Sequence, residues 1–573
     1  MVTRRILPLL SVLVVAIGTV APGAAAKTVS TTLPPERPYP ATLDAPIEYE
    51  GMTTCDPTPR PGALKLRQLL LDTYGKAVIG ISRACDQDTV SEHKEGRAVD
   101  WMVDWKNPAE RAEAQAFVDW VTSPGPDGTP AANARRLGIM YIGWADQMWR
   151  AYDPGRGWTE LKGCYSLQGS GSDTFCHRDH VHFSMTWDGA AARTSYWDNT
   201  PVIDTPCRVV RATGSPRALR GSAAFVPIKP VRLFDSRRKG SNGCYLQQRR
   251  WSGDDRSTSI AVTGRRGIPK TGVEAVAVRV TAYESNAPGW LTASGSPGAS
   301  GPRVVSLGMQ GTSASTAIVP VSDTGRIWLA TVAGHARLAV DVLGYFGRAS
   351  TSAAVDRVGT WRPAATSVAT TVELPARGSQ DVTLPATPTE GVTGAILTLN
   401  TAGSSTGHVR VMPPGQHTRA DAIDVVKGVR SATVFAASQG RNVTLTNTAS
   451  APTTVTVALG GWITSPQAGA GQLRPAAADL GTVRTGKVRT ISGKVPGGAT
   501  AVVLAVTTKG GAKGGGVTVW GAGQRPGART VDVRAQRSNT DLVVVAVGPD
   551  GSLRVAGDAP GATVSLRMVG VIS

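Results

Sequence analysis

Val273-Glu-Ala-Val-Ala-Val-Arg-Val-Thr-Ala282 is a stretch that this chain repeats, as Val392-Thr-Gly-Ala-Ile-Leu-Thr-Leu-Asn-Thr401 and again as Ala499-Thr-Ala-Val-Val-Leu-Ala-Val-Thr-Thr508. Each copy leads into a turn and a further strand-like run, at Gly289-Trp-Leu-Thr, Gly407-His-Val-Arg and Gly516-Val-Thr-Val. Each also closes on a related ending, Gly344-Tyr-Phe, Gly461-Trp-Ile and Gly570-Val-Ile. The copies lie roughly 107–119 residues apart, the size of a β-sandwich domain and too long for a solenoid repeat. After Cys207 the composition is dominated by Gly, Ala, Thr, Val and Ser, and no helical period stands out. Three tandem all-β modules are therefore expected, at 222–347, 353–464 and 472–573, with a sandwich favoured over a trefoil or barrel. Their histidines, His335, His408 and His417, are isolated in sequence and read as ordinary strand or loop residues.

The first module opens with Pro230-Val-Arg-Leu-Phe-Asp-Ser-Arg237 and closes with Val340-Asp-Val-Leu-Gly-Tyr-Phe346. In both it resembles the RLLDTR modules attached to many secreted actinobacterial proteins. The two later copies lack the opening motif, so a binding role carried by that motif is not implied for them.

Upstream, the pattern changes. Arg4 and Arg5 precede an apolar run from Ile6 to Val20, and Ala24-Ala25-Ala26 offers a small-residue cleavage site. Residues 1–26 thus read as an export signal, and 27–54, rich in Pro and Thr, as an extended leader. No stretch reaches the roughly 18 uninterrupted apolar residues of a spanning helix, so no transmembrane anchor is expected. Residues 55–205 are tryptophan-rich and mixed in pattern. A helix is expected from Leu64 to Tyr74, stopped by Gly75, and another starting at Asn107-Pro108 as cap and first position. Strands are expected over Ala98–Val103 and Val181–Trp187. The fold class is therefore multidomain, an α+β domain followed by three all-β modules.

Six cysteines, Cys55, Cys85, Cys164, Cys176, Cys207 and Cys244, favour disulfides in an exported chain. Neighbour pairing is the simplest of the 15 possible connectivities. Charge is uneven. Residues 27–204 carry about −6, whereas 205–573 carry about +23 of a total of +19. A basic tail outside the cell suits an anionic surface such as teichoic acid or another wall glycopolymer. Nucleic acid is not an expected partner, since no reader fold is recognisable.

Chemistry concentrates in two short motifs, Ser91-Glu-His93-Lys-Glu-Gly96-Arg-Ala98-Val-Asp100-Trp and His177-Arg-Asp179-His180-Val-His182-Phe-Ser184. Gly96 lets the chain turn tightly, so that His93 comes back beside Asp100. In the second motif, strand alternation sets Val181, Phe183, Met185 and Trp187 on one face, and His180, His182 and Ser184 on the other. Two imidazoles and one carboxylate make a catalytic zinc set with one position open to water.

The pattern S-x-H-x-x-G-x-A-x-D followed by H-x-H resembles the lysostaphin / D-Ala-D-Ala carboxypeptidase (LAS) zinc peptidases of cell-wall metabolism. The resemblance covers about 120–150 residues of the N-terminal domain. It implies zinc held by His93, Asp100 and His182, with His180 beside the bound water. Carboxypeptidase-type members place a Glu three residues before the last ligand, where this chain has Asp179. The spacing His177-x-x-His180-x-His182 resembles instead the penicillin-insensitive murein endopeptidases. The acid/base is thus Asp179 or His180, with His177 assisting, and Arg83 is a candidate for binding a substrate carboxylate or oxyanion. The implied function is a secreted peptidase of peptidoglycan stems or cross-links. The alternative is an inactive, zinc-holding protein that binds the cell wall or acts in adhesion.

Overall fold

The computed structural model describes residues 32–52, 55–75, 79–87, 90–164, 172–202, 224–237, 257–297, 301–308, 311–347, 360–364, 369–385, 391–465, 471–511, 513–521 and 525–573. The export segment, Cys207 and Cys244 lie outside these residues.

The first unit is built on one antiparallel sheet. Its strands are β1 (Ile79–Gly80), β2 (Ala98–Trp101), β3 (Ile139–Trp144), β4 (Gln147–Arg150), β5 (Thr159–Glu160) and β6 (Val181–Met185), in the order β1-β2-β6-β3-β4-β5. Helices α1 (Pro61–Tyr74), α2 (Pro108–Thr122) and α3 (Ala132–Leu137) share its core. Leu66, Leu70, Phe117, Val121 and Leu137 pack there against Val181, Phe183 and Met185 of β6. The helix limits follow from local chemistry. Asn107 caps α2 by accepting from the N–H groups of Ala109 and Glu110, with Pro108 next. Gly75 ends α1 in the left-handed region at φ 70°. Two expectations need correction. Helix α1 begins at Pro61 rather than Leu64, and Leu64 is 45% exposed. Trp187 is not on β6 but opens a short helix, Trp187–Ala190, because the Thr186 side chain accepts from Gly189 N–H and turns the chain.

The described residues of the leader form no helix or strand, and Tyr39 and Ile47 pack on this unit. Asp44 is buried and accepts from the N–H groups of Ser195 (3.0 Å) and Val202 (2.9 Å). Glu50 accepts from Trp187 N–H at 2.6 Å. Disulfides join Cys55 to Cys85 and Cys164 to Cys176.

The remaining chain is all β. The first module pairs a sheet of Ser313–Pro320, Val273–Tyr283, Arg337–Gly347 and Ala224–Asp235 with one of Arg303–Leu307, Gly289–Ser294, Arg326–Thr331 and Thr258–Ala261. The second and third modules repeat this plan, and each encloses its own apolar core. Even a local irregularity recurs. Gly344, Gly461 and Gly570 oppose Ala277, Ile396 and Val503, and in each module the register slips by one beside that pair, as at a β-bulge.

The modules are not independent. Phe225, Phe346, Trp361, Ile396, Phe435, Ile463, Val503 and Ile572, drawn from all three, form one further buried cluster. Around it, polar pairs cross the boundaries. Arg279 meets Asp424 at 3.4 Å, Asn400 donates to the carbonyl of Arg529 at 2.8 Å, and the Ser315 hydroxyl donates to Asp541 at 3.1 Å. Arg232 of the opening motif is committed to structure. It pairs with Asp235 at 3.0 Å, with Asp341, and with Asp421 of the next module at 2.7 Å. Two of the three histidines are not isolated in space. His408 lies 3.4 Å from Asp424, and His335 Nε2 lies 2.8 Å from Asp188, where the first module meets the N-terminal unit.

Candidate metal centre

Local geometry brings His93 and Asp100 together. Ser91 caps a 3-10 turn, Glu92–Glu95, by accepting from His93 N–H, and Gly96 ends it at φ 65°. A Cβ at Gly96 would come within 2.0 Å of the Thr58 carbonyl oxygen, so no other residue fits that turn. The chain then enters β2, whose Asp100 is directly opposite His182 on β6.

The three side chains converge. Asp100 Oδ2 lies 3.0 Å from His93 Nε2, and Asp100 Oδ1 lies 2.8 Å from His182 Nδ1. His93 Nε2 and His182 Nδ1 are 3.3 Å apart. The outward nitrogens have partners of their own: His93 Nδ1 is 2.8 Å from the Ile81 carbonyl oxygen, and His182 Nε2 is 2.9 Å from Ser184 Oγ. A carbonyl only accepts, so His93 carries its proton on Nδ1 and turns the Nε2 lone pair inward. With the proton of His182 on Nε2, its Nδ1 lone pair points the same way. Burial opposes the charge on Asp100, but the adjoining His182 and His93 rings outweigh it and hold its carboxyl well below the usual carboxylate range. Burial also pushes His182 down, favouring the neutral ring. The three donor atoms thus lie within 4.8 Å of one another, a set of two imidazoles and a carboxylate that could hold a metal ion.

His177 and His180 flank this cluster, their rings 5.0 Å apart. His180 Nδ1 is 2.7 Å from Asp179 Oδ1, and its Nε2 is 3.6 Å from Asp100 Oδ1. The other carboxylate oxygen of Asp179 accepts from the Thr174 hydroxyl at 2.6 Å. Asp179 is therefore occupied in holding His180, and the ring of His180 is what faces the cluster. Burial, with His182 and His180 adding to it, pushes His177 down to about 3, so it is neutral at physiological pH. Its ring rests on Gly143, where a Cβ would lie 2.9 Å from Cδ2 and Nε2. The segment is pinned from outside by the Cys164–Cys176 disulfide and by Arg178, which pairs with Asp146 at 2.7 Å. Arg83 is part-buried, and its backbone N–H donates to the His93 carbonyl at 3.2 Å.

Sequence reasoning placed Ser184 on the histidine face but gave it no task, and passed over Glu92, Tyr141 and Arg97. Ser184 Oγ reaches Glu92 Oε2 at 3.4 Å, and Tyr141 donates its hydroxyl to the same oxygen. Arg97, fully buried, pairs with Glu95 at 2.8 Å and donates to the Met185 carbonyl at 2.6 Å. Burial raises the cost of a charged Glu92, but Arg97 and Tyr141 outweigh it and keep the carboxylate ionised. An acid beside His93 and a serine two residues after His182 were the signal available.

Fold and cluster together define a β-rich, disulfide-bonded chain. A small unit of helices and sheet carries a His/Asp cluster and precedes three β-sandwich modules. The family described as VldE, C-terminal domain, matches residues 55–177, a span that holds His93, Asp100 and His177 and stops before His180 and His182. No curated protein matches the chain. Among solved structures, a protein of an archaeal virus described by its triple jelly roll fold and turret assembly is 10% identical. It covers 65% of this chain and 98% of its own, with a TM-score of 0.14. The major capsid protein P2 of bacteriophage PM2 is 14% identical over 36% of this chain and 98% of its own, with a TM-score of 0.13. A structure from Sulfolobus Turreted Icosahedral Virus is 10% identical over 64% and 98%, with a TM-score of 0.13. At such scores the likeness carries no argument about this chain.

Proposed function

We propose that this chain is a secreted, zinc-dependent peptidase of peptidoglycan, hydrolysing a stem-peptide or cross-link amide, with its basic β modules holding it at the cell wall. The observation that carries this reading is the fixed convergence of His93 Nε2, His182 Nδ1 and Asp100 on one point. The donor set fits zinc, which takes two imidazoles and a carboxylate and leaves one position for water. The LAS-like motifs and the export signal supply the substrate class, and the two disulfides suit an oxidising compartment.

A zinc ion held there would supply a bound water of lowered pKa and polarise the amide carbonyl. The protein's own groups do the rest. His180 holds or moves a proton at Nε2, beside the cluster, because Asp179 fixes its Nδ1–H. Asp179 acts through His180, as the geometry of its two hydrogen bonds favours. His177, neutral and part-buried, stands beside His180 and His182 and offers an uncharged nitrogen.

The test is digestion of purified cell walls by the chain spanning 27–573. Cleaved stem peptides are expected from wild type and not from His180→Ala. A zinc-loaded wild type that leaves mucopeptides unchanged contradicts the enzyme reading and returns the chain to the role of a binding protein.

A further inference from the structure

Between Leu480 and Val531 the third module has eight Lys and Arg residues and no Asp or Glu. Half of these eight gather at one side of the sandwich. Leu473–Arg484 is the edge strand of one sheet, and Arg489–Ile491, next in the chain, is the edge strand of the other. Arg484, Lys487, Arg489 and Lys494 sit on these edges and the turns beside them, and all four are exposed. Lys494 reaches only backbone carbonyls, those of Asp479 and Leu480, and the other three form no ion pair with a described residue. Asp479, at the border, accepts from Gly481 N–H at 2.8 Å.

The second module provides an internal control. Its corresponding neighbouring edges, Ala369–Leu374 and Ser379–Thr383, carry Glu373, Arg377 and Asp381, all exposed. Counting exposed side chains, the same fold thus builds this side with one base against two acids in one module, and with four bases against one acid, Asp479, in the next. Folding does not require the basic version.

We propose that this side of the third module is the docking surface for a linear, phosphodiester-linked polyanion of the wall-glycopolymer type. This narrows the anchoring role proposed above to one module and rests on that reading for the chain's location. Charge complementarity selects the ligand class. Val488 is the one large apolar side chain of the described third module counted as exposed, which gives a membrane little to insert. No exposed aromatic ring is found among the described residues there, so single-stranded nucleic acid has no stacking platform.

The test uses the chain 27–573 and immobilised poly(glycerol phosphate), with dextran and phosphatidylglycerol vesicles as comparison probes. Wild type is expected to bind the polyphosphate and to weaken about tenfold between about 50 and 300 mM salt. The variant Arg484→Gln, Lys487→Gln, Arg489→Gln, Lys494→Gln is expected to lose about tenfold or more at low salt. A control removing four basic residues of the first module, Lys229→Gln, Arg265→Gln, Arg266→Gln, Lys270→Gln, is expected to keep wild-type binding. Equal loss in both variants would show that net charge alone binds and overturns the proposal, as does tighter binding to the vesicles than to the polymer. Zinc content and wall digestion are measured on the same samples. If they fail while the edge variant still loses polymer binding, the peptidase reading falls and the docking surface stands.

Discussion

Ser184 decides which nitrogen of His182 is free. With its hydroxyl accepting from His182 Nε2 and donating to Glu92, the ring presents Nδ1 beside Asp100. Ser184→Ala removes that partner, and zinc affinity is expected to fall about 10–100-fold, read by competition with a chelator. Ser184→Thr keeps the hydroxyl and is expected to stay near wild type; equal loss in both would mean that packing alone is at stake. Asp179→Asn tests the neighbouring histidine. It is expected to retain zinc while wall digestion falls by about two orders of magnitude, and an unchanged rate would show that Asp179 holds nothing of consequence. The cluster was legible because His93, Asp100 and His182 stand in a spaced motif. Glu92 and Tyr141 were not, because their contact with Ser184 depends on β3, β6 and a 3-10 turn meeting from positions 49 and 92 residues apart.

At the scale of elements, the turn Glu92–Glu95 is held by its ends. Gly96 combines a left-handed backbone with a contact that leaves no room for a Cβ. Gly96→Ala is expected to cost at least about 1 kcal/mol of stability and to weaken zinc binding, since His93 rides on that turn. Thermal unfolding with and without zinc would show it, and an unaltered midpoint would sink the account of the turn. The helices α1 and α2 could be read because their caps are local, Gly75 at one and Asn107-Pro108 at the other. Trp187 was misplaced on the strand because it continues the period of two, while the Thr186 cap that breaks the strand acts only once the backbone has turned. The repeats disclosed the strands and modules. Their joining was less visible, although Val273–Tyr283, buried along its whole length, has the two-sided apolar character of a strand covered on both faces.

The whole molecule stores its pH sensitivity at boundaries between units. Burial pushes Asp541, which accepts from Ser315 and Thr316 of the first module, up to about 7. Burial, with Asp188 adding to it, does the same to Glu50, also to about 7. A carboxyl raised in the folded state keeps its proton where the unfolded chain has lost it. Its stabilising contribution is therefore full below about pH 4 and declines as pH rises toward 7. Midpoints are expected to fall over that window, and Asp541→Asn to flatten part of the fall. A variant with the same slope as wild type would contradict the assignment. These boundaries were not legible in the sequence, since His335 and Asp188 meet across 147 residues and nothing near either announces the other.

The central claim is that His93, Asp100 and His182 hold one metal. Metal analysis of the purified chain 27–573 tests it most directly. One zinc per chain is predicted for wild type, with its loss in His182→Ala while the fold is retained. A folded wild type that takes up no zinc, or a His182→Ala variant that keeps its full complement, would contradict it.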